Sequence, residues 1–256
     1  MKELADGVWH LKCLPGLPWA VNAYLAGDVL IDAGCRQSTG RILKQLDGHE
    51  VRVHALTHAH ADHQGASRDV CEELGIPFWC PELDVPAAED PKLIYERQPD
   101  KFMAHFFWRI FHGPGRKVDR AIKEGDEVAG FEVLDVPGHS EGHVAFWRQS
   151  DRVLILGDVL ANMDQYTGIP GLHEPKPALT PDPKRNRESA RRLADARAGA
   201  GLLRPRRPAA RPEEAHSVRR GIERVGTGRP RERRGLRRSN PFYARGAGLT
   251  LVRRPR

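Results

Sequence analysis

The sequence predicts an α/β protein whose chemistry lies at the ends of its strands. Three observations point there. Short apolar runs bounded by turn residues recur over the first 160 or so positions, some followed by helical apolar spacing. Strand, polar turn and helix succeed one another more than once, which is the pattern of a layered α/β domain. The richest of these turns, Thr57-His58-Ala59-His60-Ala61-Asp62-His63, sets three imidazoles and a carboxylate within six positions, directly after the apolar run Val51 to Leu56.

The elements read in order as follows. Gly7 to Leu14 is a strand stopped by Pro15-Gly16. Ala20 to Leu25 and Val29 to Asp32 form a hairpin that turns at Gly27-Asp28. Thr39 to Leu46 has helical spacing (Ile42, Leu43, Leu46) and ends at Gly48. Val51 to Leu56 is the strand that delivers the histidine turn. Ala66 to Leu74 is a helix closed by Gly75, and Pro77 to Cys80 is a short strand. Residues 81–116 are less regular and contain Phe102, Phe106, Phe107, Trp108 and Phe111. Their spacing suggests one apolar helix face, either packed as core or standing as a wall over a substrate pocket. Strands return at Phe131 to Val136, His143 to Trp147 and Val153 to Leu156, and a helix covers Asn186 to Ala194. The first and third of these strands end in polar turns, Pro137-Gly138-His139-Ser140-Glu141-Gly142-His143 and Gly157-Asp158.

A chain of 256 residues with 39% hydrophobic content can bury a substantial core. Cys13, Cys35, Cys71 and Cys80 form no Cys-x-x-Cys pair and read as buried, reduced thiols. The first residues lack the apolar stretch of a secretion signal, and no apolar run approaches the roughly 18–20 residues of a membrane span. The expected location is therefore cytoplasmic, the expected partner is a small-molecule substrate with no membrane, and nothing fixes an oligomeric state. The net charge of +7 conceals two different segments. Residues 1–184 hold 19 Lys and Arg against 28 Asp and Glu, whereas residues 185–256 hold 22 Arg, no Lys, and 6 Asp and Glu. The body is acidic, and the excess base lies in the tail.

Zinc takes imidazole nitrogen and carboxylate oxygen, and a catalytic zinc keeps one position open. His58 and His60 are two apart, so an extended segment points both to one side. Asp62 and His63 lie past the turn and can face a second ion. His139 and Asp158 bring further ligand types from other strand ends. A single histidine would read as structural; four ligand-type residues in six positions do not.

The ordered series His58-x-His60-x-Asp62-His63, then Pro137-Gly138-His139, then Gly157-Asp158 after an apolar strand resembles the metallo-β-lactamase-fold hydrolases. The resemblance covers residues 7–195 and implies a catalytic domain over residues 1–195 with a four-layer αβ/βα sandwich. It further implies that His58, His60 and His139 bind one metal, Asp62 and His63 a second, and Asp158 both. Aspartate at the bridging position is similar to the glyoxalase II-like branch. The implied activity is metal-dependent hydrolysis of a thioester, lactone or ester, with two Zn2+ holding a hydroxide between them and Asp62 orienting it and moving its proton. Asp32 and His143 are expected beside the ligands, holding them in place. Fe2+ or mixed metals are the alternative, with an iron-dependent persulfide dioxygenase as the matching activity; a nucleic-acid hydrolase of the same superfamily is another.

One element of the resemblance is absent. The family carries a further histidine in a Gly-His-Gly turn after the bridging Asp, and this chain has none. His173 and His216 lack the surroundings. Lysine ends at Lys184, and Arg rises from 10 in the first 184 residues to 22 in the last 72. Read one nucleotide out of frame with suitable synonymous codons, Ala196 to Ala209 can encode an apolar strand ending in Gly-His-Gly. Residues 196–256 are therefore expected to be an out-of-frame, irregular or disordered tail, which would leave the second metal one ligand short and the chain impaired or inactive. The competing reading of the tail, an Arg-rich arm for nucleic acid, is weakened by the acidic body and by the lack of aromatic residues before Phe242 and Tyr243.

Overall fold

The structure is a computed structural model that describes residues 1–14, 21–164, 167–198 and 251–252. The turn expected at Pro15-Gly16 and almost all of the Arg-rich tail lie outside the described residues.

Two sheets face each other. The first runs in sequence order through β1 (Lys2–Ala5), β2 (Val8–Lys12), β3 (Asn22–Ala26), β4 (Val29–Ile31), β5 (Val53–Ala55), β6 (Phe78–Pro81) and β7 (Arg120–Ile122). Its first four strands pair antiparallel, and β3 and β4 are joined by the tight turn expected at Gly27-Asp28. From β4 onward the strands are parallel, so each connection needs a crossover. The crossovers are α1 (Thr39–Leu46), then α2 (Ala61–Gln64) with α3 (Ser67–Leu74), then α4 (Val85–Glu89), α5 (Lys92–Arg97) and α6 (Lys101–Phe111). The second sheet is antiparallel: β8 (Glu127–Val128), β9 (Phe131–Asp135), β10 (Val144–Arg148) and β11 (Val153–Ile155). A hairpin of β12 (Ala161–Met163) and β13 (Pro170–His173) follows, then α7 (Pro183–Ala198), and β14 (Leu251–Val252) pairs with β11.

Strand alternation explains the layering. Phe131 and Val133 of β9, Val144 and Phe146 of β10, and Val153 and Ile155 of β11 point between the sheets, where they meet Tyr24, Ala26, Val29 and Ile31. Their neighbours Leu134, Ala145, Trp147 and Leu154 point the other way, onto Leu193 of α7. In the first sheet Ala23, Leu25 and Leu30 face Ile42 and Leu46 of α1 and Val70 of α3. Strands buried on both faces read as unbroken apolar runs, which is how Val29 to Ile31 and Val153 to Ile155 read. The result is helix, sheet, sheet, helix: the four-layer sandwich the resemblance implied. Phe146 has no exposed surface, and truncating it to Ala would cost roughly 3–5 kcal/mol.

α1 has the expected bounds and α3 starts one residue later than expected, whereas α7 extends the expected Asn186 to Ala194 helix at both ends, to Pro183–Ala198. The edge strands β1 and β7 and the β12–β13 hairpin have half-exposed or exposed faces and carry little apolar periodicity. Residues 81–116 resolve into three short helices that cover one end of the domain. All four cysteines are buried and unpaired, and burial pushes the Cys13 and Cys71 thiols up to about 12. Among the described residues, no helix is long and apolar enough to cross a membrane.

Candidate metal centre

Four strands end at one edge of the sandwich, and each delivers a polar side chain there. Asp32 follows β4, Thr57 and His58 follow β5, His139 follows β9, and Asp158 follows β11. Two of these exits use left-handed backbone. Asp32 has φ +60°, a conformation that costs a non-glycine residue of order 1–3 kcal/mol and clusters at functional sites. Gly157 has φ +53°, and a Cβ there would collide with the His143 ring, so only glycine can precede Asp158.

One ring nitrogen from each of His58, His60 and His139 lies within 4.8 Å of the others, and His58, His63 and Asp158 form a second such group. Five of the six expected ligand residues therefore sit at one place, with His58 common to both groups. Asp62 belongs to neither group and lines the same cavity.

The surrounding hydrogen bonds orient the rings. Thr57 Oγ1 gives its proton to Asp32, at 2.9 Å from Oδ2, so it accepts from His58 Nδ1–H at 3.0 Å. Thr180 Oγ1 donates to the Lys176 carbonyl and accepts from His139 Nδ1–H at 3.2 Å. In both cases the Nε2 lone pair is left facing the cluster, and both Nε2 atoms are buried without a hydrogen-bond partner. Burial, reinforced by neighbouring imidazoles, pulls the pKa of His58 and His60 well below the ordinary value; burial takes His139 down to about 3. Neutral, orphaned imidazole nitrogens converging on one point are what a divalent cation requires.

The carboxylates complete the site. His63 donates from Nδ1 to Asp32 Oδ2 at 2.9 Å and turns Nε2 toward Asp158 Oδ1 at 3.3 Å. Burial opposes charge on His63, but Asp158, Asp32 and Asp62 together outweigh it and hold its pKa well above the ordinary value. Burial would likewise raise Asp158, but its contact with His63 outweighs this and holds the carboxyl below its usual range. Asp62 is raised by burial, partly offset by His63. His143 Nε2 accepts from the Asp158 backbone N–H at 3.2 Å. Asp32 thus contacts His63, and His143 contacts the backbone of Asp158.

Three further residues contact the cluster or its turns without belonging to any readable motif. Asp84 is completely buried and accepts from Ala59 N–H at 3.0 Å, Ser140 Oγ–H at 2.8 Å and Gly142 N–H at 2.9 Å. It ties the first histidine turn to the turn that bears His139. Thr180 orients His139 as described. Gln98, after α5, places its amide nitrogen 3.0 Å from His60 Nε2 and leaves its own carbonyl oxygen buried and unpaired. Turning that amide over satisfies both groups: His60 Nε2–H then donates to Gln98 Oε1, and His60 Nδ1 is free for a cation. A lone Asp, Thr or Gln in a loop gives no sequence signal of this kind.

Next to the cluster lies a cavity of about 150 Å³, walled in part by Ile94, Tyr95, Trp108, Phe111, Met163 and Leu179. Trp108 and Phe111 therefore do form a pocket wall, whereas Phe102 and Phe106 are exposed.

A four-layer αβ/βα sandwich carrying a His and Asp cluster at the common edge of its two sheets defines a metallo-hydrolase of the metallo-β-lactamase fold. The model of the metallo-beta-lactamase superfamily matches residues 16–200, and the chain belongs to that superfamily. It is 28% identical over 188 residues to the probable metallo-hydrolase YflN of Bacillus subtilis, a match covering 65% of this chain and 70% of that protein. It is 35% identical over 127 residues to a hydroxyacylglutathione hydrolase of Methylococcus capsulatus, covering 47% of this chain and 39% of the relative. Among solved structures, TTHA1623 in a di-iron-bound form is 31% identical with a TM-score of 0.53, covering 72% of this chain and 85% of that one.

Proposed function

We propose that this chain is a zinc-dependent hydrolase of a small acyl substrate, a thioester, lactone or ester. The observation that carries the reading is the convergence of the unpartnered His58 and His139 Nε2 atoms with His60, His63 and Asp158, four of which (His60, His63, His139 and Asp158) line the cavity. On this reading His58, His60 and His139 hold one metal, Asp62 and His63 a second, and Asp158 both, within a catalytic domain of residues 1–195. Bound zinc would lower the pKa of water toward about 7 and polarise the substrate carbonyl.

The chain's own residues supply the rest. Asp62 faces the cavity with its carboxyl raised by burial, which suits it to take the proton of the attacking water and return it to the leaving group. The acyl–heteroatom bond breaks, and the water oxygen remains on the acid. Asp32 fixes the His63 ring, Thr57 the His58 ring, and His143 the turn that carries Asp158. These contacts keep the lone pairs aimed at one point before substrate arrives.

The di-iron form of TTHA1623 supports Fe2+ or mixed metals as the alternative cofactor. Metal analysis of the purified protein, followed by thioester and lactone assays with and without chelator, tests both. Turnover that consumes oxygen would favour a dioxygenase over hydrolysis. His58→Ala, which touches both ligand groups, should lose bound metal and metal-dependent turnover together; full activity in that variant refutes the assignment.

A further inference from the structure

The cluster occupies one part of the cavity, and the remaining walls are largely apolar, interrupted by Asn22, Gln98, Asn162 and Lys176. Ile94 and Tyr95 come from α5, Trp108 and Phe111 from α6, Met163 from β12, and Leu179 from the turn before α7. Among the described lining residues, Lys176 is the one cation apart from the imidazoles, and it already has an interaction within the fold. The lining carboxylates, Asp32, Asp62 and Asp158, belong to the cluster. A ligand bringing two carboxylates and an ammonium into this space would lose their hydration and meet only one cation, Lys176, and a few amides, too few partners to offset the cost. Glutathione thioesters carry two carboxylates and an ammonium and meet that cost directly. An uncharged hydrocarbon group meets the opposite condition, because every contact it makes removes apolar surface from water.

The cavity volume sets the size. About 150 Å³ is the space in which an apolar protein cavity takes up benzene. We infer that the substrate carries its reacting carbonyl on an uncharged apolar chain or ring of about six carbons, seated against Trp108, Ile94 and Leu179. The carbonyl's role rests on the hydrolase reading; the hydrocarbon's place rests on the cavity alone.

The test is equilibrium binding of straight-chain methyl ketones, which present a carbonyl and cannot be hydrolysed, to the metal-loaded full-length chain. Affinity should rise about fourfold per added methylene from propan-2-one to hexan-2-one, roughly 60-fold in all, and then level off. S-methylglutathione should bind more weakly than hexan-2-one. A flat ketone series, or tighter binding of S-methylglutathione, overturns the inference. Trp108→Ala and Leu179→Asn should each lower the increment per methylene, and an unchanged increment in both also overturns it. Turnover of acetyl and hexanoyl thioesters is measured separately. No turnover alongside an intact ketone series counts against the hydrolase reading and leaves the cavity assignment standing.

Discussion

Replacing Asp84 should loosen the metal centre from behind. All three of its partners, Ala59 N–H, Ser140 Oγ–H and Gly142 N–H, are donors, so the side chain acts as an ionised, acceptor-only carboxylate. Burial raises its pKa, and these three bonds with nearby Arg97 pull it back. Asp84→Ala strands two backbone N–H groups and a hydroxyl in a site with no exposed surface at Asp84. Each stranded donor costs about 1–3 kcal/mol, and removing the buried charge offsets part of the sum. A net loss of roughly 3–5 kcal/mol is expected, in line with breaking one side of a buried ionic network. For a domain of this size that corresponds to a fall in Tm of roughly 6–20 °C. Asp84→Asn keeps one acceptor oxygen and should lose about half as much. Because Ala59 lies between His58 and His60, and Ser140 follows His139, both variants should also bind zinc more weakly in chelator competition. Thermal unfolding of the chelated and zinc-loaded proteins reads both effects. A Tm within about 2 °C of wild type, together with unchanged zinc affinity in Asp84→Ala, would refute the reasoning.

Three other outcomes are expected. Gln98→Leu should weaken metal binding about 10–100-fold by removing the group that orients His60, while Gln98→Glu retains an acceptor and should restore much of it; equal affinity in all three proteins argues against that role. His54 donates to the Leu30 carbonyl and accepts from Ser67, and burial lowers its pKa to about 4. The unfolded chain therefore takes up the proton first, and stability from this group falls as pH drops from about 6.5 to about 4, by roughly 3 kcal/mol. In urea titrations, the unfolding free energy should fall between pH 7 and pH 4.5 by most of that amount more in wild type than in His54→Gln, and an equal fall in both would contradict it. Finally, sequencing the coding DNA across codons 190–210 should reveal a single-base shift that restores Gly-His-Gly; if no such shift exists, the tail is as encoded.

The fold and the candidate ligands were legible in the residues because both rest on short-range pattern. Val29 to Ile31 and Val153 to Ile155 read as strands buried on both faces, and His58, His60, Asp62 and His63 declare themselves by spacing. The exits at Asp32, His139 and Asp158 are visible for the same reason: an apolar run stops and a polar turn begins. Asp84, Thr180 and Gln98 are different. Each lies far along the chain from the ligand it serves, as Asp84 does from Ala59 and Ser140, and its meaning is a hydrogen bond that exists only once the layers have packed. The cavity wall is the intermediate case. Aromatic spacing over residues 102–111 showed an apolar helix, but only the packing of α6 against the site turned Trp108 and Phe111 toward the cavity and left Phe102 and Phe106 in solvent. Periodicity along one element fixes which residues share a face; which face meets the metal, and what orients each imidazole, is decided by contacts between elements that no local pattern contains.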